Sequence, residues 1–114
     1  MDARAAVASL SALAQESRLL IYRLLVQAGA TGLSVGEIGA SLRIAPATLS
    51  FHLKELSHAG LVGTRQEGRY IYYSASYDRM NRLLGYLTEK CCARDGTACC
   101  MPARSQRRRE KSPS

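Results

Sequence analysis

Helix start and stop signals follow one another at short intervals between Ser34 and Gly60, leaving room for little except two short helices joined by a tight connection. Ser34 and Glu37 form the S-x-x-E capping box, in which a side-chain hydroxyl and a carboxylate satisfy each other's backbone N–H groups at a helix start. The pattern predicts a helix from Val35 to about Leu42, with Ile38 and Leu42 facing inward. Arg43-Ile44-Ala45 is the connection. Pro46 suits the first position of a second helix, because its ring presets φ and its missing N–H would be unpaired there anyway. In that helix Leu49, Leu53 and Leu56 face inward, Thr48, Ser50, His52, Lys54 and Glu55 face outward, and Gly60 ends it. The pair reads as a helix-turn-helix.

The flanks complete a mainly α fold with one β-hairpin. Val7, Leu10, Leu13 and Ala14 fall at helical spacing and predict a first helix from about Asp2 to Ala14. Ser17 precedes a run from Arg18 to Val26, apolar over most of its circumference and stopped by Gly29 and Gly32, which reads as the centre of the core. Leu61 to Gln66 and Arg69 to Ala75 are strand-like around Glu67-Gly68, with Tyr70, Tyr72 and Tyr73 as strand-favouring aromatics. They make the hairpin wing of a winged helix-turn-helix. A last helix begins at Asp78, where Met80, Leu83, Leu84 and Leu87 mark one face and Cys91 continues the stripe. Residues 1–92 thus read as one DNA-binding and dimerisation domain, 93–101 as a cysteine-containing loop, and 102–114 as a basic disordered tail.

With 114 residues the core is modest, and chains of this size gain stability from a partner, a metal or disulfides, so a homodimer is expected. Lysine and arginine number 16 against 9 acidic residues, a net charge of +7 that favours anionic partners such as nucleic acid. The tail from Arg104 carries five cations and one anion, which leaves the folded part mildly basic. The opening MDARAAVASLSALAQ does not read as a signal peptide: it lacks a positive start, and Ser9 and Ser11 interrupt its apolar run. No stretch reaches membrane-spanning length. A cytoplasmic location is therefore expected, where clustered thiols mean metal or redox chemistry more often than structural disulfides. Nothing resembles a catalytic triad, a phosphate loop or paired carboxylates, so an enzyme is not expected. The competing class is a small thiol-redox or metal-carrying protein in which the helix pair only assembles the dimer.

A helix that enters the major groove of double-stranded DNA needs short polar side chains near its N-terminal end, where base edges are read. Thr48, Ser50 and His52 meet that need, although a histidine at this position can equally pack or cap. Lys54 offers a phosphate contact, and Arg65 and Arg69 at the hairpin tip offer phosphate or minor-groove contacts. Each alone would read as solvated surface. It is the order of cap, helix pair and basic hairpin that points to DNA.

The segments Ala45-Pro46-Ala47-Thr48-Leu49-Ser50-Phe51-His52-Leu53-Lys54-Glu55-Leu56, Gly60-Leu61-Val62 and Arg65 to Ser74, with their TxSxHLKxL and EGRxxxYS elements, resemble the ArsR/SmtB family of metal-sensing repressors over roughly residues 5–90. The resemblance implies a dimer built through the first and last helices, a near-palindromic operator, and release of DNA when metal or metalloid binds. The family often has serine and glutamine where this chain has Ala45 and Pro46, which removes one base reader. Its arsenic sensors commonly carry C-x-C in the short helix before the recognition helix, where this chain has Ser34-Val35-Gly36. Its zinc site of aspartate and histidine on the last helix also has no counterpart, since Asp78 to Lys90 contains no histidine. Cys91, Cys92, Cys99 and Cys100 instead resemble a family variant that senses trivalent arsenic with a vicinal pair and a downstream thiol.

Soft trivalent arsenic or antimony prefers thiolates and takes three of them in a pyramid. Neighbouring residues on a helix point about 100° apart, so Cys91 and Cys92 can share an ion only where the helix ends. The six residues Ala93 to Ala98 can then return Cys99 or Cys100 as third ligand at modest entropic cost. Lys90 and Arg94 favour the thiolates. Zinc is a further candidate, although its sites prefer C-x2-C spacing. Reversible disulfides or thiols without a role are the remaining readings.

Overall fold

The computed structural model describes residues 1–94, and within them lie five helices and a small antiparallel sheet. Helix α1 (Ala3–Leu13) starts at Asp2, whose carboxylate accepts the Ala5 N–H at 2.9 Å. It turns Ala6, Ser9 and Ala12 inward, three small residues at three-residue spacing that allow close approach to its neighbours. Val7 and Leu10, which marked the helix in the sequence, stand on its outer side. Helix α2 (Glu16–Ala28) is capped by the Gln15 side chain, ahead of the start that Ser17 suggests, and ends at Gly29 with φ +83°. Ile21, Tyr22 and Leu25 of α2 are buried, each aliphatic side chain contributing about 1.5–3 kcal/mol. Leu19, Leu20 and Val26 are exposed, so α2 is central along one stripe and not all round.

Strand β1 (Leu33–Ser34) leads directly into α3 (Val35–Leu42). The capping box is complete: Ser34 Oγ accepts the Glu37 N–H at 3.2 Å and Glu37 Oε1 accepts the Ser34 N–H at 2.9 Å. Arg43, in the left-handed region at φ 57°, turns the chain toward α4 (Pro46–His58). Helix α4 buries Leu49, His52, Leu53 and Leu56, and Gly60 at φ +78° sends the chain into β2 (Val62–Glu67). Strand β3 (Tyr70–Ala75) returns in register from Glu67↔Tyr70 to Val62↔Ala75. The wing holds a third strand that the sequence pattern did not announce, because β1 pairs with β3 through Leu33↔Tyr73 and Ser34↔Tyr72, giving the order β1-β3-β2. Two residues are too few to display a period of two.

Helix α5 (Tyr77–Thr88) begins at Ser76, whose hydroxyl accepts the Arg79 N–H, and it ends short of the expected Lys90. Its apolar stripe divides. Leu83 is buried and Met80 packs on the core, whereas Leu84 and Leu87 are exposed. Cys91 does not continue the stripe, since it lies beyond the helix end.

Candidate functional site

Thr48, Ser50 and Lys54 stand exposed on α4, as the leucine spacing requires. His52 does not join them. It lies at i+3 from Leu49 and i−4 from Leu56, on the inner face, with 7% of its surface exposed. Its Nδ1 faces an Arg18 Nη at 3.4 Å, and the Arg18 Nε–H donates to the Ala12 carbonyl at 2.6 Å. Guanidinium has no acceptor, so Nδ1 accepts and the proton of the neutral ring sits on Nε2. Burial, and secondarily the charge of Arg18, hold the imidazole below its ordinary value of 6.5. The outward orientation expected for His52 is thus corrected: the ring joins α4 to α2 and, through Arg18, to the end of α1.

The two wing arginines differ as well. Arg69 occupies the turn after Gly68, at the tip. Arg65 lies down the strand opposite Tyr72 and is held three ways: Nε 3.0 Å from Glu67 Oε2, an Nη–H donated to the Thr31 carbonyl at 3.1 Å, and the guanidinium carbon 5.0 Å above the Tyr72 ring. Its expected place at the tip is corrected accordingly. Among the described residues, Lys54 and Arg69 have neither a hydrogen-bonded nor an ion-paired side-chain partner, which leaves both charges available to a phosphate. Arg69 shares a shallow groove with Ser34, Val35 and Gly36 at the start of α3. Phe51, which the sequence pattern did not single out, is 56% exposed on the outer side of α4. Its position opposite Leu49, Leu53 and Leu56 was available from helical spacing.

Beyond α5 the chain turns sharply, with Lys90 and Cys92 at positive φ of 59° and 62°. The Cys91 N–H donates to the Thr88 carbonyl and the Ala93 N–H to the Lys90 carbonyl, each at 3.0 Å. This turn brings the half-buried Cys91 and Cys92 sulfurs to 3.5 Å. An ion bound at about 2.3 Å per sulfur spans any pair closer than about 4.6 Å, so these two can share one. No group of three or more ligating side chains occurs among the described residues. Cys99 and Cys100, and with them most of the proposed loop and the whole basic tail, lie outside those residues.

A family model described as a helix-turn-helix domain matches residues 13–65. The biofilm growth-associated repressor of Agrobacterium fabrum is 39% identical over 84 residues, 74% of this chain and 69% of that protein. The transcriptional activator HlyU of Vibrio cholerae is 36% identical over 87 residues, 76% of this chain and 78% of that protein. A solved structure of HlyU covers 81% of this chain and 99% of its own at a TM-score of 0.62 and 34% identity, and another is named as reduced HlyU. A homodimeric winged helix-turn-helix DNA-binding domain from Mycobacterium bovis, named as a possible ArsR-family transcriptional regulator, covers 77% of this chain and 82% of its own, with a TM-score of 0.62 and 27% identity. No helix among the described residues is long and apolar enough to cross a membrane. By its helix pair, its wing and these relatives, the chain belongs to the ArsR family of winged helix-turn-helix, DNA-binding transcriptional regulators.

Proposed function

We propose that this protein is a homodimeric repressor that leaves its operator when trivalent arsenic or antimony is bound by Cys91, Cys92 and one of Cys99 or Cys100. The observation that carries the reading is the 3.5 Å approach of the first two sulfurs in a turn that ends α5. Two adjacent thiols meet only off a regular helix, and this chain places them there. The dimer reading rests on the exposed Val7 and Leu10 of α1 and Leu84 and Leu87 of α5, two helices that pack against each other. It is further supported by the homodimeric relative. Thr48 and Ser50 are assigned to base edges, and Lys54 and Arg69 to phosphates. Arg65 orders the wing and meets the backbone of DNA only at its margin. His52 serves from behind by holding α4 in place.

Binding an ion at the end of α5 would reorganise the edge of the dimer contact and change the separation of two recognition helices that must match grooves one turn apart. The coupling is reciprocal, so operator DNA weakens ion binding by the same factor, typically about 1–3 kcal/mol. A second reading is favoured by the same 3.5 Å approach: an oxidant could close the sulfurs to a bond of about 2.05 Å and make the switch a redox one.

Operator release measured by fluorescence anisotropy separates these. Wild type and the four single Cys→Ser variants are titrated with arsenite, antimonite, zinc and peroxide. Release by arsenite that is lost in C91S and C92S, and in only one of C99S and C100S, is expected. Equal operator affinity with and without arsenite defeats the metalloid reading, and release by peroxide alone establishes the redox one.

A further inference from the structure

We propose that Phe51 is a base reader, its ring packing against the 5-methyl group of a thymine in the major groove of each operator half-site. The inference rests on the assignment of α4 as the recognition helix. At about 100° per residue, Phe51 points about 150° away from the middle of the buried face formed by Leu49, His52, Leu53 and Leu56. Ala47, one turn before it, and Lys54, nearly one turn after, share the middle of the outward face with the ring, whereas Thr48 lies to its side. Phe51 is 56% exposed. It is also supported from beneath, because its centroid lies 5.7 Å from that of the buried His52 ring with the planes tilted by 59°.

A lone exposed aromatic is ordinary on a protein surface. This one is distinguished by its neighbours. Exposed Thr48, Ser50 and Lys54 surround it with two hydroxyls and an ammonium, groups suited to base edges and phosphate. A phenyl ring between them can donate or accept no hydrogen bond, and the major groove displays one apolar group for it to recognise, the methyl of thymine. Ala45 and Pro46, at the entry to α4, offer no side-chain hydrogen bond to a base edge.

The test uses the full chain and duplexes selected by it from a random-sequence pool. In the selected duplex each thymine is replaced in turn by deoxyuridine, which deletes the methyl and keeps the pairing, and affinity is read by anisotropy at fixed salt. One or two positions per half-site are expected to weaken binding about 3- to 10-fold in wild type. F51A is expected to bind more weakly and to lose that difference while keeping its melting temperature, and F51L to keep part of it. The inference is overturned if no thymine shows the effect in wild type, a result that needs no variant, or if F51A shows it undiminished. Failure to select any duplex would instead remove the DNA-binding assignment, and this inference with it.

Discussion

His52 is the residue whose surroundings most alter its chemistry. Because burial lowers its folded value below the ordinary 6.5, the fold prefers the neutral ring. The resulting stability is fully present above the unfolded value near 6.5 and is lost as pH falls from there through the folded value. Urea unfolding between about pH 5.5 and 8 should show wild type weakening toward the acid end, with a flatter profile in H52Q. Gly32 offers a steric counterpart. At φ +73° it runs against β3, and an added Cβ would lie inside the Tyr73 carbonyl. G32A should cost about 2–4 kcal/mol in thermal unfolding. G68A, at φ +62° with open space around it, should cost only about 1 kcal/mol. Both glycines look alike in the sequence, since a positive φ is a local property and the approach of another strand is not.

At the scale of elements, the wing separates order from recognition. Arg65 bridges β2 to the carbonyl of Thr31, ahead of β1, so R65Q should lower stability by about 1 kcal/mol as these partly exposed interactions disappear. Among the described residues Arg69 has no such partners, and R69Q should leave the melting temperature unchanged. The same change should reduce the slope of log affinity against log salt by about 1 for each phosphate that Arg69 neutralises. The hairpin and its turn were legible from the strand-favouring Tyr70, Tyr72 and Tyr73 and from Gly68. Which arginine is occupied was not, because Thr31 and Tyr72 meet Arg65 only once the third strand is in place. Helix α5 shows the same limit: its stripe of Met80, Leu83, Leu84 and Leu87 predicts a helix correctly, yet only part of that stripe turns to its own core.

For the whole molecule, the exposed half of that stripe is the surface assigned to the subunit contact of the proposed dimer. Replacing Leu84 and Leu87 together by glutamate should yield a monomer in analytical ultracentrifugation and weaken operator binding by about 100-fold or more, as one half-site loses its tethered partner. An unchanged sedimentation coefficient would remove Leu84 and Leu87 from the proposed subunit contact. By itself the sequence determined the helix-turn-helix and the wing, since capping boxes, Pro46, glycine stops and apolar periods act within a few residues of one another. It also determined that any thiolates this chain offers a soft ion come from among Cys91, Cys92, Cys99 and Cys100, its four cysteines. Tertiary structure alone decided that the His52 ring meets Arg18 and that, among the described residues, Arg65 is occupied while Arg69 is not. It decided as well that α5 stops in time to bring two adjacent sulfurs together. The contacts of His52 and Arg65 depend on which surfaces meet across tens of residues, and a local pattern carries no record of the meeting.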